Sequence, residues 1–150
     1  MNSFSKIYHR YIINEINVDD DDIVGLIENI DIQDVGNDIK AKIDSGNGAY
    51  NVLHGKVVSK RGNNIIVQTL NDKKLKKEKI DEIIIHIGSG NKELRPVVEF
   101  DMKLGDEIYK DVPFTIADRS ENEYPVLIAK DFLEQIGKEY IKVDTQFNQD

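Results

Sequence analysis

Apolar and polar residues alternate along most of this chain, and a helical period shows in one place only. Alternation marks a half-buried strand, whose side chains point to opposite faces in turn. Ile39-Lys40-Ala41-Lys42-Ile43-Asp44 carries it. So does the long run in which Val98, Phe100, Met102 and Leu104 are separated by polar residues. Val112, Phe114 and Ile116 repeat the pattern beyond a turn at Gly105-Asp106. Shorter apolar runs predict strands at Ile23 to Ile30, Val52 to Val58, Ile65 to Val67, Ile83 to Ile87, Tyr124 to Ile128 and Tyr140 to Val143. Ile7 to Ile13 reads as an edge strand or a short arm.

Turn residues punctuate these runs. Asp34-Val35-Gly36-Asn37 is a turn, and Arg61-Gly62-Asn63-Asn64 is a hairpin loop. Gly88-Ser89-Gly90-Asn91 tips a long hairpin. The helical spacing falls at Lys130 to Ile136, where Phe132, Leu133 and Ile136 share a face and Gly137 is the expected stop. Many short strands and one late helix predict an all-β fold, a barrel or sandwich. The expected layout is an N-terminal arm over 1–22, one domain over 23–145 and a polar tail over 146–150.

Composition narrows the function classes. The chain has 150 residues, 39% hydrophobic and 32% charged, which suits one folded domain. Its net charge is -8, whereas nucleic-acid binders usually present a basic surface, so no nucleic-acid partner is expected. It has no Cys, hence no disulfide, thiol nucleophile or thiolate ligand. No apolar run is long enough to span a bilayer and the first residues lack a signal peptide's apolar core, so the expectation is a cytoplasmic protein with no membrane partner. His9, His54 and His86 are far apart and no His-Glu-x-x-His occurs, so no metal site is expected. His54 reads as a structural hydrogen-bonding residue. The acidic run Asp19 to Asp22 lacks the spaced ligands of a calcium loop and reads as a solvated turn. The basic run Lys73 to Lys79 is a candidate contact for an acidic substrate or a phosphate backbone, with an exposed loop or turn as the plainer reading.

The candidate chemistry sits where the first strong alternation ends, at Asp44-Ser45-Gly46. An acid, a hydroxyl and a glycine closing an apolar strand form the loop with which aspartic proteases activate water. Asp44 would be the base, Ser45 would hold the loop through backbone hydrogen bonds, and Gly46 would permit a tight turn. The tripeptide is also ordinary turn composition.

The order of short motifs resembles the retropepsin-like aspartic proteases, and among them the bacterial family labelled ATP-dependent zinc protease. The residues that carry the resemblance are Ile23-Val24-Gly25 with Glu28, Ala41-Lys42-Ile43-Asp44-Ser45-Gly46, Leu53-His54 and Arg95-Pro96-Val97. Asp118-Arg119-Ser120, Tyr124-Pro125-Val126-Leu127, Asp131-Phe132-Leu133 and Val143-Asp144 complete it. The chain departs from that pattern at Asn47-Gly48, and at Ala129-Lys130 where the family has Gly-Arg supporting the catalytic loop and the dimer.

The resemblance implies a closed retropepsin-like barrel with one short C-terminal helix. It implies a peptidase without cofactor that uses two carboxylates sharing one proton. With one Asp-Ser-Gly per chain, the second Asp44 must come from a homodimer partner. Gly88, Ser89 and Gly90 would then tip a flap over the substrate. Arg95 and Arg119 would either line the groove, suiting a peptide or protein substrate with glutamate tails of the kind an ATP-grasp ligase adds, or pair with the chain's own abundant acids. The competing expectation is a barrel without catalysis that serves as a binding or assembly module, for example in a phage particle.

Overall fold

The computed structural model describes residues 23–24, 26–44, 49–137 and 139–140. The expected N-terminal arm, the acidic run at 19–22 and the polar tail lie outside the described residues, as do Ser45, Gly46, Asn47 and Gly48.

Twelve strands are described in chain order: β1 (Ile23–Val24), β2 (Ile27–Ile32), β3 (Gly36–Asp44), β4 (Asn51–His54), β5 (Lys56–Arg61), β6 (Asn64–Gln68), β7 (Lys74–Glu78), β8 (Asp81–His86), β9 (Lys92–Leu104), β10 (Glu107–Ala117), β11 (Val126–Ala129) and β12 (Glu139–Tyr140). One α-helix, α1 (Lys130–Gln135), follows β11, and a 3-10 turn spans Leu70–Asp72. Six strands close into a barrel in the order β10, β4, β11, β3, β2, β9, with β9 pairing back onto β10 and β8 added outside β9. β5, β6 and β7 form a separate antiparallel sheet, and β1 pairs in parallel with β12.

The barrel is built on the alternation the sequence shows. Val98, Phe100, Met102 and Leu104 of β9 and Val112, Phe114 and Ile116 of β10 are all buried in one core with Ile30, Ile32, Ile39, Ala41 and Ile43 of β2 and β3. Phe100 and Phe114 meet edge to face, their centroids 5.9 Å apart. That geometry adds about 1 kcal/mol to what burial alone supplies. β10 is longer than the pattern suggested because a bulge between Tyr109 and Val112 bends it, with Asp111 at φ 52°. The Asp111 amide donates to Asp101 Oδ1 across the bulge at 2.9 Å. The helix runs as the spacing predicts, burying Phe132 and Leu133, and Gly137 ends it at φ 73°.

Three local expectations need correction. The apolar stretch from Ile23 to Ile30 is two strands, β1 and β2, not one. Val52 to Val58 is likewise split, because β4 ends and β5 begins on either side of Gly55. A Cβ at Gly55 would stand 2.8 Å from the backbone oxygen of Gln68 and 3.2 Å from Ile116 Cγ2, so only glycine lets the chain leave the barrel there. Third, the basic run read as a loop is strand β7, paired with β6 over all five residues. Its apolar Leu75 packs against the core, and Lys77 sets its ammonium 4.2 Å from the centroid of the Phe100 ring. That packing and a complete ladder outweigh the weak strand preference of lysine.

The small sheet covers the barrel with its inner face. Ile65 and Val67 of β6 are 2% and 0% exposed and belong to the barrel's own core cluster. The Arg61–Asn64 loop is the hairpin expected from sequence, with Gly62 at φ 61° as the first central residue.

Candidate active site

β3 delivers Asp44 to one end of the barrel. It lies between β2, its antiparallel neighbour, and β11, which runs parallel to it and places Ala129 opposite Asp44. Ala41 and Ile43 point into the core at 0% and 6% exposure, and the strand keeps its register because shifting by one residue would expose both. Asp44 is half-buried and terminates this strand.

Ala129 is buried at the junction of β11 and α1. No side chain caps the helix from within it. Instead the Ala129 amide donates to Asn51 Oδ1 of β4 at 2.7 Å. Asn51 is 1% exposed, and its backbone oxygen accepts from the Thr115 hydroxyl at 3.3 Å. One buried amide thus ties β4, β10 and β11 together beside the acid. Its Nδ2 finds no acceptor among the described residues. Periodicity gave no sign of this role, since Asn51 follows a turn-like stretch.

The long-range placement of Arg119 is the other finding. Its backbone amide donates to His54 Nδ1 at 2.8 Å, and its Nε donates to the Tyr124 carbonyl at 2.8 Å. His54 is therefore the hydrogen-bonding residue the sequence suggested, with Nδ1 acting as acceptor. Asp118 beside it accepts from the Ser120 amide at 2.9 Å. Its carboxyl lies below the usual carboxylate range, chiefly through hydrogen bonding to Ser120, with Lys56 adding attraction. Burial pushes the Arg119 guanidinium below its ordinary value; Asp44 opposes that shift and Arg95 reinforces it. Arg119 thus feels the charges of two residues far from it in sequence, Asp44 and Arg95. Arg95 lies on β9 and is held by Glu93, its Nε 2.7 Å from Glu93 Oε2.

Strands β8 and β9 pair as a long antiparallel hairpin. Its base is fixed by Tyr50, whose hydroxyl donates to Asp81 Oδ2 at 3.3 Å. Burial, and then the Asp81 charge, raise the Tyr50 phenol above its usual value. Gly88, Ser89 and Gly90 form the tip, with Ser89 and Gly90 at φ 66° and 74°. The Ile87 amide donates to the Asn91 carbonyl at 2.9 Å and closes the loop. Gly90 lies five positions before Arg95, about 17 Å of extended chain. The described contacts do not bring the tip to Asp44. Lys130 pairs with Glu134 of its own helix at 3.9 Å. Among the described residues no three His, Asp or Glu side chains gather in a metal-holding cluster, and no helix is long and apolar enough to cross a membrane.

A closed six-strand barrel with an acid-hydroxyl-glycine sequence at the end of a core strand defines the retropepsin-like class. Residues 23–146 match the family model of RimB-like proteins, described as retropepsin-like aspartic endopeptidase RimB, and the chain belongs to that family. Among curated proteins none matches it. The crystal structure of Lpg0085, a protein of unknown function from Legionella pneumophila subsp. pneumophila, shares the fold with a TM-score of 0.60 at 24% identity, over 79% of this chain and 91% of that one.

Proposed function

We infer that the protein is a homodimeric aspartic endopeptidase or peptide-tail hydrolase to which each subunit contributes Asp44. The observation that carries this reading is the position of Asp44: it closes a core strand, within the span matched by an aspartic endopeptidase family, and its charge acts on Arg119. In the dimer, two Asp44 carboxyls about 3 Å apart hold one proton between them, because like charges at that distance do not both ionise. The ionised one takes a proton from water as the water oxygen bonds to the peptide carbonyl carbon. The protonated one gives its proton to the carbonyl oxygen. The first carboxyl then passes that proton to the amide nitrogen while the second takes one back from a hydroxyl of the tetrahedral intermediate, which collapses to acid and amine and restores the shared proton.

Arg95 and Arg119 would supply the cationic side of the groove. A carboxylate-bearing substrate, such as a glutamate-rich tail, is the class their charge suits. The hairpin tip at Gly88, Ser89 and Gly90 would close as a flap and exclude water.

Asp44→Asn tests the reading: hydrolysis of an acidic peptide should vanish while fold and dimer persist. Cleavage that survives the change removes the proposal. A second reading, a barrel kept as a binding or assembly module, is favoured by Lys130, whose partner is Glu134 where the family pattern has an arginine supporting the catalytic loop. A chain that is monomeric at working concentration would favour it.

A further inference from the structure

We propose that the outer face of the β5–β6–β7 sheet is a docking surface for an acidic polypeptide segment of another protein. The inference does not depend on catalysis at Asp44.

The first support is charge asymmetry. Residues 56–79 hold eight of the twenty Lys and Arg but only two of the twenty-eight acids, so this stretch carries +6 and the remainder of the chain -14. The second is where the pairing places those charges. Ile65 and Val67 turn inward, so Asn64, Ile66 and Gln68 face outward with the residues opposite them. Across the sheet these are Arg61 and Glu78, Ser59 and Lys76, and Lys56 and Lys74. Four cations and one acid therefore share the outer face. Lys74 and Lys76 sit two residues apart, about 7 Å, which is the repeat of carboxylates on alternate residues of an extended chain.

The third support is that three of these four cations are uncompensated; Lys56 has Asp118 nearby. Acids outnumber bases in this chain, yet among the described residues no carboxylate pairs with Arg61, Lys74 or Lys76. Lys79, by contrast, reaches Glu82 at 3.2 Å. Charged edge strands, lysine-bearing ones above all, also discourage sheet-to-sheet aggregation, but Lys76 and Arg61 add to an excess of +6 over residues 56–79 in an otherwise acidic chain.

The chemistry of the face favours polypeptide over nucleic acid. Residues 56–79 include no aromatic side chain on which bases could stack. The centre of the face offers half-buried Ile66 between Ser59 and Lys76, an aliphatic contact for side-chain stems.

The test uses the Asp44→Asn chain, so that binding is read without cleavage. A fluorescein-labelled peptide alternating Glu and Ser is titrated by anisotropy at low and physiological salt. Reversing Arg61→Glu, Lys74→Glu and Lys76→Glu together should weaken binding at least roughly tenfold and flatten its salt dependence. The milder set, Arg61, Lys74 and Lys76 each to Gln, should weaken it in the same direction and covers the case in which reversal harms folding. Equal affinity in wild-type and sheet variants overturns the proposal. So does loss of binding in Arg119→Ala alone, which would assign the peptide to the barrel cleft. An oligonucleotide of equal charge that competes more tightly than the peptide would make the face a nucleic-acid site, and a dimer that falls apart in the sheet variants would make it a contact between copies. Either result also overturns it.

Discussion

The barrel end around Asp44 and the β5–β7 sheet use the same building rule to opposite ends. Each has one apolar face on the common core. At the barrel end the other groups are drawn together from distant parts of the chain: Asp44 from β3, Arg95 from β9 and Arg119 from the loop after β10. In the small sheet the charges are local neighbours that touch little else. The contrast teaches that one half of this molecule invests in long-range order around a few side chains, and the other presents charge on a simple platform. Substitutions should therefore act differently in the two places.

The largest expected effect is Asp44→Asn, which should lower peptide hydrolysis on the order of 10^4-fold, read from initial rates, with little change in unfolding. Next is Phe114→Ala in the barrel, where a fully buried ring in contact with Phe100 is lost. It should cost about 3–5 kcal/mol in denaturant unfolding. Gly55→Ala probes the seam between the two regions. The added methyl meets a backbone oxygen that cannot rotate away, and about 1–3 kcal/mol of stability should be lost.

A smaller effect is expected at Asp101. The Asp111 amide bond is the main reason its carboxyl lies below the usual range, with Lys110 and Lys77 contributing. A depressed folded value means that its stabilisation is present above the unfolded value, about 3.9, and fades as pH falls through the lower folded value. The stability gap between wild type and Asp101→Asn should therefore close on acidification, as followed by thermal unfolding against pH. Smallest of all is the triple reversal on the sheet's outer face, expected within about 0.5 kcal/mol of wild-type stability. A large loss there would erase the contrast.

Much of the scaffold was legible because alternation is a local signal. β9, β10, β3 and the helix follow directly from the spacing of Val98 to Leu104, Val112 to Ile116, Ile39 to Ile43 and Phe132 to Ile136. Strand β7 was hidden because only Leu75 interrupts its lysines, and its pairing comes from β6. The break at Gly55 was hidden because its cause, the Gln68 carbonyl, lies thirteen positions away. Asp44 was visible as a motif at a strand end. That Arg119 feels the charges of Asp44 and Arg95 follows from ring closure and from His54 holding the Arg119 amide, and no periodicity encodes such a bond. The Asn51 side chain on the Ala129 amide was invisible for the same reason.

Ring closure also restricts how this molecule can join others. Six strands whose backbone groups are satisfied by one another offer no template for an added strand. Among the described residues, free sheet margins remain at β8, in the β1–β12 pair and in the β5–β7 sheet, all outside the ring. Any strand-to-strand growth, productive or pathological, would have to begin on these appendages, leaving the barrel wall itself out of reach.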